Sequence, residues 1–365
     1  MARAPKDPSK SRVVVGLSGG VDSTMTAYLL KQQGYHVTGA FMLLWADQMS
    51  PEGDEQRIAM ARRATEFLDI DFKVLDFRKL FYKEVVLPFI EAYKQGLTPN
   101  PCVLCNMKFK FNWLAQAADK EFDYVATGHY AQIRYVPTAS GEMEYQLWRG
   151  IDPKKDQTYV LYHLDQEKLA HTLFPLGDKV KPDVRRLANE VGFSTASLSD
   201  SQDICFITPE RGYRTLLEEH DALGKPGDFV TPSGETLGKH LGIGNYTIGQ
   251  RKHLGMSFGK RMVVCGINCA KNQVIVDEEQ GVLKTDYLVK NVVFNSLTMP
   301  DFPLKCEVAG RYQARVTKAT ISPDEKMGEG YIRVHCDTPQ RAVTPGQFAV
   351  FYVGDRVIGG GEIVG

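Results

Sequence analysis

Eight consecutive residues near the amino end, Gly16-Leu17-Ser18-Gly19-Gly20-Val21-Asp22-Ser23, are of the types that hold a phosphate chain. Glycines let main-chain N–H groups come close to phosphate oxygens, and the serine hydroxyls add donors. A helix starting just after them aims its free N–H groups and dipole at the anion. The stretch has no Lys before its final Ser, as GxxxxGK[ST] requires, and no GxGxxG spacing, so it is neither of those nucleotide loops. Farther along stand two cysteine-bearing segments, Thr98-Pro99-Asn100-Pro101-Cys102-Val103-Leu104-Cys105-Asn106 and Ser199-Asp200-Ser201-Gln202-Asp203-Ile204-Cys205-Phe206. A thiolate is both a nucleophile and a metal ligand, and a CxxC serves redox and metal chemistry equally well.

The elements that must position these residues follow from periodicity. Between Arg12 and about Tyr130, VVVGL, TMTAYLLKQQG, YHVTGAFM, IAMARRATEFL and FKVLDF alternate strand-like and helix-like patterns. That alternation predicts βαβ units and a parallel sheet covered by helices. AQIRYV and EYQLWRG then read as a hairpin, and KPDVRRLANEVG as a helix opening at a proline and stopping at a glycine. Past Glu210 glycine is frequent and short strand-like runs such as FAVFYV and RVIGGGEIV dominate. The expected organisation is an α/β domain over 1–210, a small central domain over 211–284 and a C-terminal β-barrel over 285–365.

Composition narrows the function classes. The 365 residues, 43% hydrophobic and 24% charged, describe a globular chain with room for two or three domains. The 44 Lys plus Arg balance 44 Asp plus Glu, so any polyanionic partner must be met by local patches. Ala92 to Ala118 and Asn245 to Val276 contain no carboxylate and are candidate phosphate-contact surfaces, the first through Lys94, Lys108 and Lys110. No apolar run has the roughly 18 residues of a membrane helix, and the start has no signal-peptide pattern, which predicts a cytoplasmic protein without a membrane partner. Seven cysteines are too sparse for a secreted disulfide scaffold. Cys265, Cys269, Cys306 and Cys336 read as packing residues.

SGGVDS resembles the PP-loop of N-type ATP pyrophosphatases, a group that includes GMP and NAD synthetases and several tRNA-modifying enzymes. With TGHY at 127–130, KDQTYVL at 155–161, GQRKHLG at 249–255 and PGQ at 345–347, the cysteine segments resemble the tRNA-specific 2-thiouridylase family along essentially the whole chain. The resemblance implies adenylation by ATP and Mg²⁺ of the C2 oxygen of the wobble uridine in tRNAs for Lys, Glu and Gln, followed by replacement with sulfur. It makes Cys205 the persulfide carrier and Cys105 the catalytic nucleophile, with a Cys105–Cys205 disulfide as by-product. It places ATP on Gly16 to Ser23 (Gly16, Leu17, Ser18, Gly19, Gly20, Val21, Asp22, Ser23), Met42 and Gly128. The target base falls to Asn100, Pro101 and Cys102, and other tRNA contacts to His129, Lys155, Asp156, Gln157, Arg311, Tyr312 and Gln347. The partners implied are the tRNA anticodon arm and a sulfur donor, either a cysteine desulfurase or a carrier.

One position departs from the family pattern: Cys102 stands where the family usually has Asp. Cys102, Cys105 and Cys205 thereby form a three-thiolate set that could hold a [4Fe–4S] cluster delivering sulfide. Persulfide relay and cluster-assisted transfer both stay open at this point. Two other classes also remain: a PP-loop ligase or amidotransferase acting on a small metabolite, and an RNA-binding protein without catalysis.

Overall fold

The structure, a computed structural model, describes residues 4–45, 51–114, 122–138, 140–193, 204–207 and 212–364. Strands β1 (Arg12–Leu17), β2 (His36–Leu43), β3 (Asp71–Asp76), β4 (Tyr124–Ala126), β5 (Ala131–Pro137), β6 (Met143–Arg149) and β7 (Thr172–Leu173) come from the first half of the chain. Five of them form a parallel sheet in the order β3-β2-β1-β4-β7. Its central strand buries Val13, Val14 and Val15 completely, because helices cover both faces and leave no polar side of the strand. Each such valine contributes about 1.5–3 kcal/mol by leaving water. The covering helices include α1 (Val21–Gln32) and α2 (Pro51–Leu68).

Helix α3 (Leu87–Lys94) and the short α4 (Pro101–Cys105) follow, and α5 (Lys181–Val191) ends on Gly192 in the left-handed conformation, at φ 92°. The proline-to-glycine limits read from KPDVRRLANEVG therefore hold, since glycine alone takes that φ without a Cβ penalty.

A central four-stranded sheet, β8 (Gly227–Val230), β9 (Thr236–His240), β10 (Val263–Asn268) and β11 (Gln273–Asp277), runs in the order β10-β11-β8-β9 around Phe229. The last six strands are β12 (Leu283–Phe294), β13 (Leu304–Ala309), β14 (Thr317–Pro323), β15 (Ile332–Arg341), β16 (Phe348–Val353) and β17 (Arg356–Val364). They run β12-β15-β14-β13-β16-β17, and β17 pairs back onto β12, so the barrel closes and its edges vanish. Strand β15 alternates buried and exposed residues at its start, as a barrel wall with one dry face must.

The β5–β6 hairpin expected within the α/β part forms, but it extends the C-terminal sheet. Leu147 and Trp148 pair with Val357 and Arg356 of β17. Buried Glu144 ties the junction by accepting from Arg356 at 2.7 Å. Hairpin periodicity says that two strands pair with each other, and leaves open which sheet they join.

Candidate active site

The phosphate loop is held by its own hydroxyls. Ser23 Oγ accepts from the Ser18 N–H at 3.1 Å and donates to the Gly20 carbonyl at 3.1 Å, while the Ser18 and Ser23 hydroxyls lie 3.2 Å apart. Gly20 caps α1 without a side-chain cap, and its own N–H donates to the Ser18 hydroxyl at 3.4 Å, so the first-turn N–H groups of α1 carry no side-chain cap. Gly19 sits at φ 79°, and a Cβ there would come 3.1 Å from the Arg57 carbonyl of α2. Gly128 allows a second close approach: a Cβ on it would meet the Ser23 nitrogen at 3.0 Å. A Cβ on Gly16 would lie 3.7 Å from the Met42 side chain and 3.9 Å from that of Thr127. The residues expected at the nucleotide thus converge on the mouth of β1, β2 and β4, where the α1 dipole favours negative charge.

Asp22, in the first turn of α1, accepts from Lys181 Nζ at 2.7 and 2.6 Å and from the Tyr130 hydroxyl at 2.8 Å. The loop suits a polyphosphate carried with a divalent cation. Its backbone supplies donors, and Asp22 is the carboxylate beside it, held here by Lys181 and Tyr130.

The thiols are positioned by α4. Asn100 caps this helix by accepting from the Val103 N–H at 3.3 Å, and Pro101 occupies a first-turn position, where its missing N–H costs nothing. Cys102 and Cys105, three residues apart, then share a helix face. Asn106 donates to the Cys102 carbonyl at 3.0 Å. Cys205 sits in a turn closed by the Ile207 N–H on the Ile204 carbonyl at 2.9 Å. Its neighbour Phe206 is buried against Trp45, Phe81 and Phe89, in the same apolar cluster that contains Cys105. The preceding Ser199–Asp203 part of the motif lies outside the described residues.

All seven cysteines are free thiols. Cys105 is buried, while Cys102 and Cys205 are exposed; enough protein still crowds those two that desolvation dominates their titration. Burial pushes Cys102 up, Cys105 up to about 11 and Cys205 up to about 12. Cys205 is raised further by Cys105 and Cys102, so the three sulfurs lie within each other's electrostatic reach, and the Lys110 ammonium opposes the shift at all three. Arg57, whose carbonyl touches Gly19, also lowers Cys205. The α2 residue whose carbonyl backs the phosphate loop thus also acts electrostatically on Cys205.

The three thiols do not converge as metal ligands: among the described residues no group of three or more His, Cys, Asp or Glu side chains is placed to hold a metal ion. The donor set as arranged does not fit a [4Fe–4S] cluster, and no step below passes through one.

The residues expected at tRNA fall into two groups. His129 is buried; Lys110 donates to its Nε2 at 3.5 Å and its Nδ1 contacts the Thr127 hydroxyl at 2.7 Å. Burial and the Lys110 charge hold it well below the usual histidine range, hence neutral. Gln157 accepts from the Tyr130 N–H at 3.1 Å. Gln347 donates to the Thr98 carbonyl at 2.7 Å, and the Thr98 N–H donates to the Pro345 carbonyl at 3.0 Å, so the PGQ turn grips the loop leading into α4.

Asp156, Arg311 and Tyr312, by contrast, line a cleft of about 390 Å³ together with Arg149, Lys154 and Tyr159. Arg311 and Tyr312 are exposed, Lys155 is half-buried nearby, and Tyr312 lies within the field of Cys102.

In the first carboxylate-free window Lys94 pairs with Glu91 of its own helix at 3.8 Å and Lys108 with Glu84 at 2.5 Å, with both ammonium groups still partly exposed, while Lys110 donates to buried His129 at 3.5 Å. In the second, Arg251 and Lys260 pair with Glu279 and Glu278 at 3.7 and 2.8 Å on the surface. The residues missed by sequence reasoning are Lys181, Tyr130, Arg57 and the inward role of Lys110. The proline-started helix KPD located Lys181, but nothing local reveals a partner 159 positions away.

Comparison with known proteins completes the assignment. The family model for the tRNA methyl transferase HUP domain matches residues 11–209, its PRC-barrel model 215–278, and an aminomethyltransferase β-barrel model 284–363. The tRNA-specific 2-thiouridylase MnmA of Clostridium perfringens (strain 13 / Type A) is 44% identical over 97% of this chain and 99% of its own length. That of Desulforamulus reducens is 42% identical over 97% of both chains. Among solved structures, the U34-tRNA thiolase NcsA from Methanococcus maripaludis with its [4Fe-4S] cluster is 17% identical, with a TM-score of 0.35, and covers 59% of this chain and 66% of its own. A likeness that distant adds nothing to the assignment, which the full-length relatives and the domain models carry. The chain belongs to the tRNA-specific 2-thiouridylase MnmA family.

Proposed function

We propose that the protein replaces the C2 oxygen of the wobble uridine of tRNAs for Lys, Glu and Gln by sulfur, at the expense of ATP. The observation that carries this reading is the shared wall of α2: Arg57 backs the phosphate loop at Gly19 and bears electrostatically on Cys205. A nucleotide on the loop and a sulfur on Cys205 are, in this reading, brought to the same base.

The chemistry follows from the electrophile. A urea-like carbonyl carbon resists attack until its oxygen becomes part of a phosphate ester, which adenylation supplies with loss of pyrophosphate. Ser18, Ser23 and the loop N–H groups hold the phosphates, and Asp22 is the side chain that would hold Mg²⁺, which screens phosphate charge when bound. The thiols of Cys105 and Cys205 are protonated at neutral pH in this arrangement, so a bare thiol at Cys205 is a poor nucleophile. A persulfide there ionises more readily at its outer sulfur. That sulfur bonds to C2 and the C2–O bond breaks, with AMP leaving. The Cys105 sulfur then attacks Cys205 Sγ, its thiol proton passing to the departing 2-thiouracil, giving a Cys105–Cys205 disulfide and leaving the second sulfur on the base. A dithiol reductant resets the pair.

The exposed Arg311 and Tyr312 beside the cleft suit an unpaired anticodon-loop nucleotide, which a guanidinium and a ring can hold by charge and stacking. The sulfur donor is a cysteine desulfurase or a sulfur carrier acting on Cys205. Among the described residues no helix is long and apolar enough to cross a membrane.

The test is reconstitution with unmodified tRNA, ATP, Mg²⁺, cysteine and a desulfurase, with digested nucleosides read by mass spectrometry. A 2-thiouridine at the wobble position is expected. Pyrophosphate release with small metabolites in the absence of RNA, and no thiolated nucleoside, would overturn the reading.

A further inference from the structure

The proposed sulfur transfer uses Cys105 and Cys205 and leaves Cys102 without a task. Cys102 stands three residues before Cys105 on α4, exposed where Cys105 is buried. Helix geometry puts two side chains at this spacing on one face, with Cβ atoms about 5–6 Å apart. A disulfide wants them about 3.5–4.5 Å apart, so a bond between the two asks the helix to give by roughly 1 Å. α4 can give: it has five residues, and its first turn is held by the Asn100 cap and by the Asn106 carboxamide on the Cys102 carbonyl.

Cys205 comes to the same place from a distant part of the chain. Its neighbour Phe206 shares one apolar cluster with Cys105, and both Cys105 and Cys102 bear electrostatically on its thiol. Cys105 is therefore common to two thiol pairs, one along its own helix and one with the carrier.

Sulfur transfer ends with Cys105 and Cys205 joined, and no new round starts until Cys205 is a thiol again. A reductant from solution can attack the exposed Cys205 sulfur, but it is then bound as a mixed disulfide to the atom that must be reloaded. Attack on the Cys105 sulfur frees Cys205 at once, yet that sulfur is buried. A thiol three residues away on the same helix reaches it without a path through solvent, at an effective concentration of about mM or more.

We propose that Cys102 is the resolving thiol that reopens the Cys105–Cys205 disulfide after each round. Its sulfur attacks Cys105 Sγ, and the Cys102–Cys105 bond forms as the Cys105–Cys205 bond breaks. The electron pair goes to Cys205 Sγ, which takes up the proton that Cys102 gives up, so the exchange itself consumes no reductant. A dithiol reductant then attacks the Cys102–Cys105 bond at its exposed end, supplies two electrons and two protons, and leaves as a disulfide. A bond that the helix must bend to accept is readily reduced, which draws the exchange forward. The inference rests on the proposed sulfur transfer, because that reaction supplies the disulfide to be reopened.

The first test needs neither tRNA nor ATP. Cys205→Ser protein is oxidised with diamide, its remaining thiols are alkylated in denaturant, and its peptides are mapped by mass spectrometry. A Cys102–Cys105 disulfide in most molecules is expected; finding both residues alkylated would overturn the proposal, whatever the protein does to tRNA.

Cys102→Ser then tests turnover, with unmodified tRNA, ATP, Mg²⁺, cysteine, a desulfurase and a protein dithiol as limiting reductant. We expect product to stop near about one 2-thiouridine per enzyme, against at least about ten for the wild type, with the variant trapped as the Cys105–Cys205 disulfide. Excess dithiothreitol, which attacks the exposed Cys205 sulfur directly, should restore further rounds, a rescue that a merely loosened helix would not show. Turnover of Cys102→Ser at the wild-type rate without dithiothreitol would overturn the proposal. So would a variant that never thiolates under either reductant, since Cys102 would then serve the transfer itself. A wild type that forms the Cys102–Cys105 bond but never thiolates tRNA would sink the thiolation reading while the pairing of the two thiols stood.

Discussion

At the phosphate loop, Asp22, Lys181 and Tyr130 hold one another at 2.6 to 2.8 Å, and the loop hydroxyls are bonded within the loop. At the sulfur end, three thiols lie within each other's electrostatic reach, raised by burial and opposed by the Lys110 ammonium. The first arrangement is charged, paired and ready for a ligand. The second consists of protonated thiols beside one ammonium, with Cys105 in the apolar cluster of Phe206. Adenylation gains from fixed dipoles that need no rearrangement at the moment of reaction. Sulfur transfer needs a nucleophile that stays inert until sulfur is loaded, and a desolvated thiol meets that need.

The strongest way to break the comparison is to separate the two halves. Cys205→Ser is expected to abolish thiolation, by at least about 10³-fold, while tRNA-dependent pyrophosphate release persists. Thiolation surviving in this variant would mean that sulfur arrives by another route, and the ends would no longer divide the labour. Asp22→Ala should do the reverse, lowering adenylation by about 10²–10³-fold, the range for removal of a preorganised charged group. It also strands the Lys181 ammonium, which should lower stability by about 3–5 kcal/mol, visible as a shifted thermal melt.

The sulfur end can be sharpened by pH. A free cysteine is half ionised near about 8.5, whereas Cys105 and Cys205 stand at about 11 and about 12. Iodoacetamide should therefore alkylate them at pH 8 about 10²–10³-fold more slowly than an unfolded control, with rates climbing through pH 11 and 12. Because the folded values are raised, the neutral thiols favour folding below about pH 9. That contribution is lost as pH rises through 11 to 12. Fast labelling of Cys205 at pH 8 would show that its segment opens readily.

How legible these features are in the sequence depends on how local they are. SGGVDS announces itself because the strand, the turn and the helix that make a phosphate site are contiguous. Asn100 and Pro101 likewise show the start of α4 through cap chemistry alone. The α5 limits are readable from Pro182 and Gly192. What is hidden depends on contacts across the fold: Lys181 on Asp22, Lys110 on buried His129, and the β5–β6 hairpin joined to β17 instead of the parallel sheet. The family resemblance names which cysteines matter, but their raised titration comes from burial in the folded chain, which no motif encodes.

The smallest effect concerns the grip between the barrel and the thiol-bearing loop. Gln347 donates to the Thr98 carbonyl at 2.7 Å, four residues before Cys102. Gln347→Ala removes one part-buried hydrogen bond, worth about 1 kcal/mol, so the fold should survive. If the side chain acts by holding the loop, kcat for thiolation falls about five- to tenfold with little change in the KM for tRNA, because a loosened α4 misplaces both of its cysteines. If Gln347 acts as a direct RNA contact, KM rises and kcat holds, since uniform binding is what is lost. The split between the two constants therefore decides whether the barrel serves the sulfur end as a clamp on tRNA or as a brace on the catalytic loop. The bond to Thr98 predicts the brace.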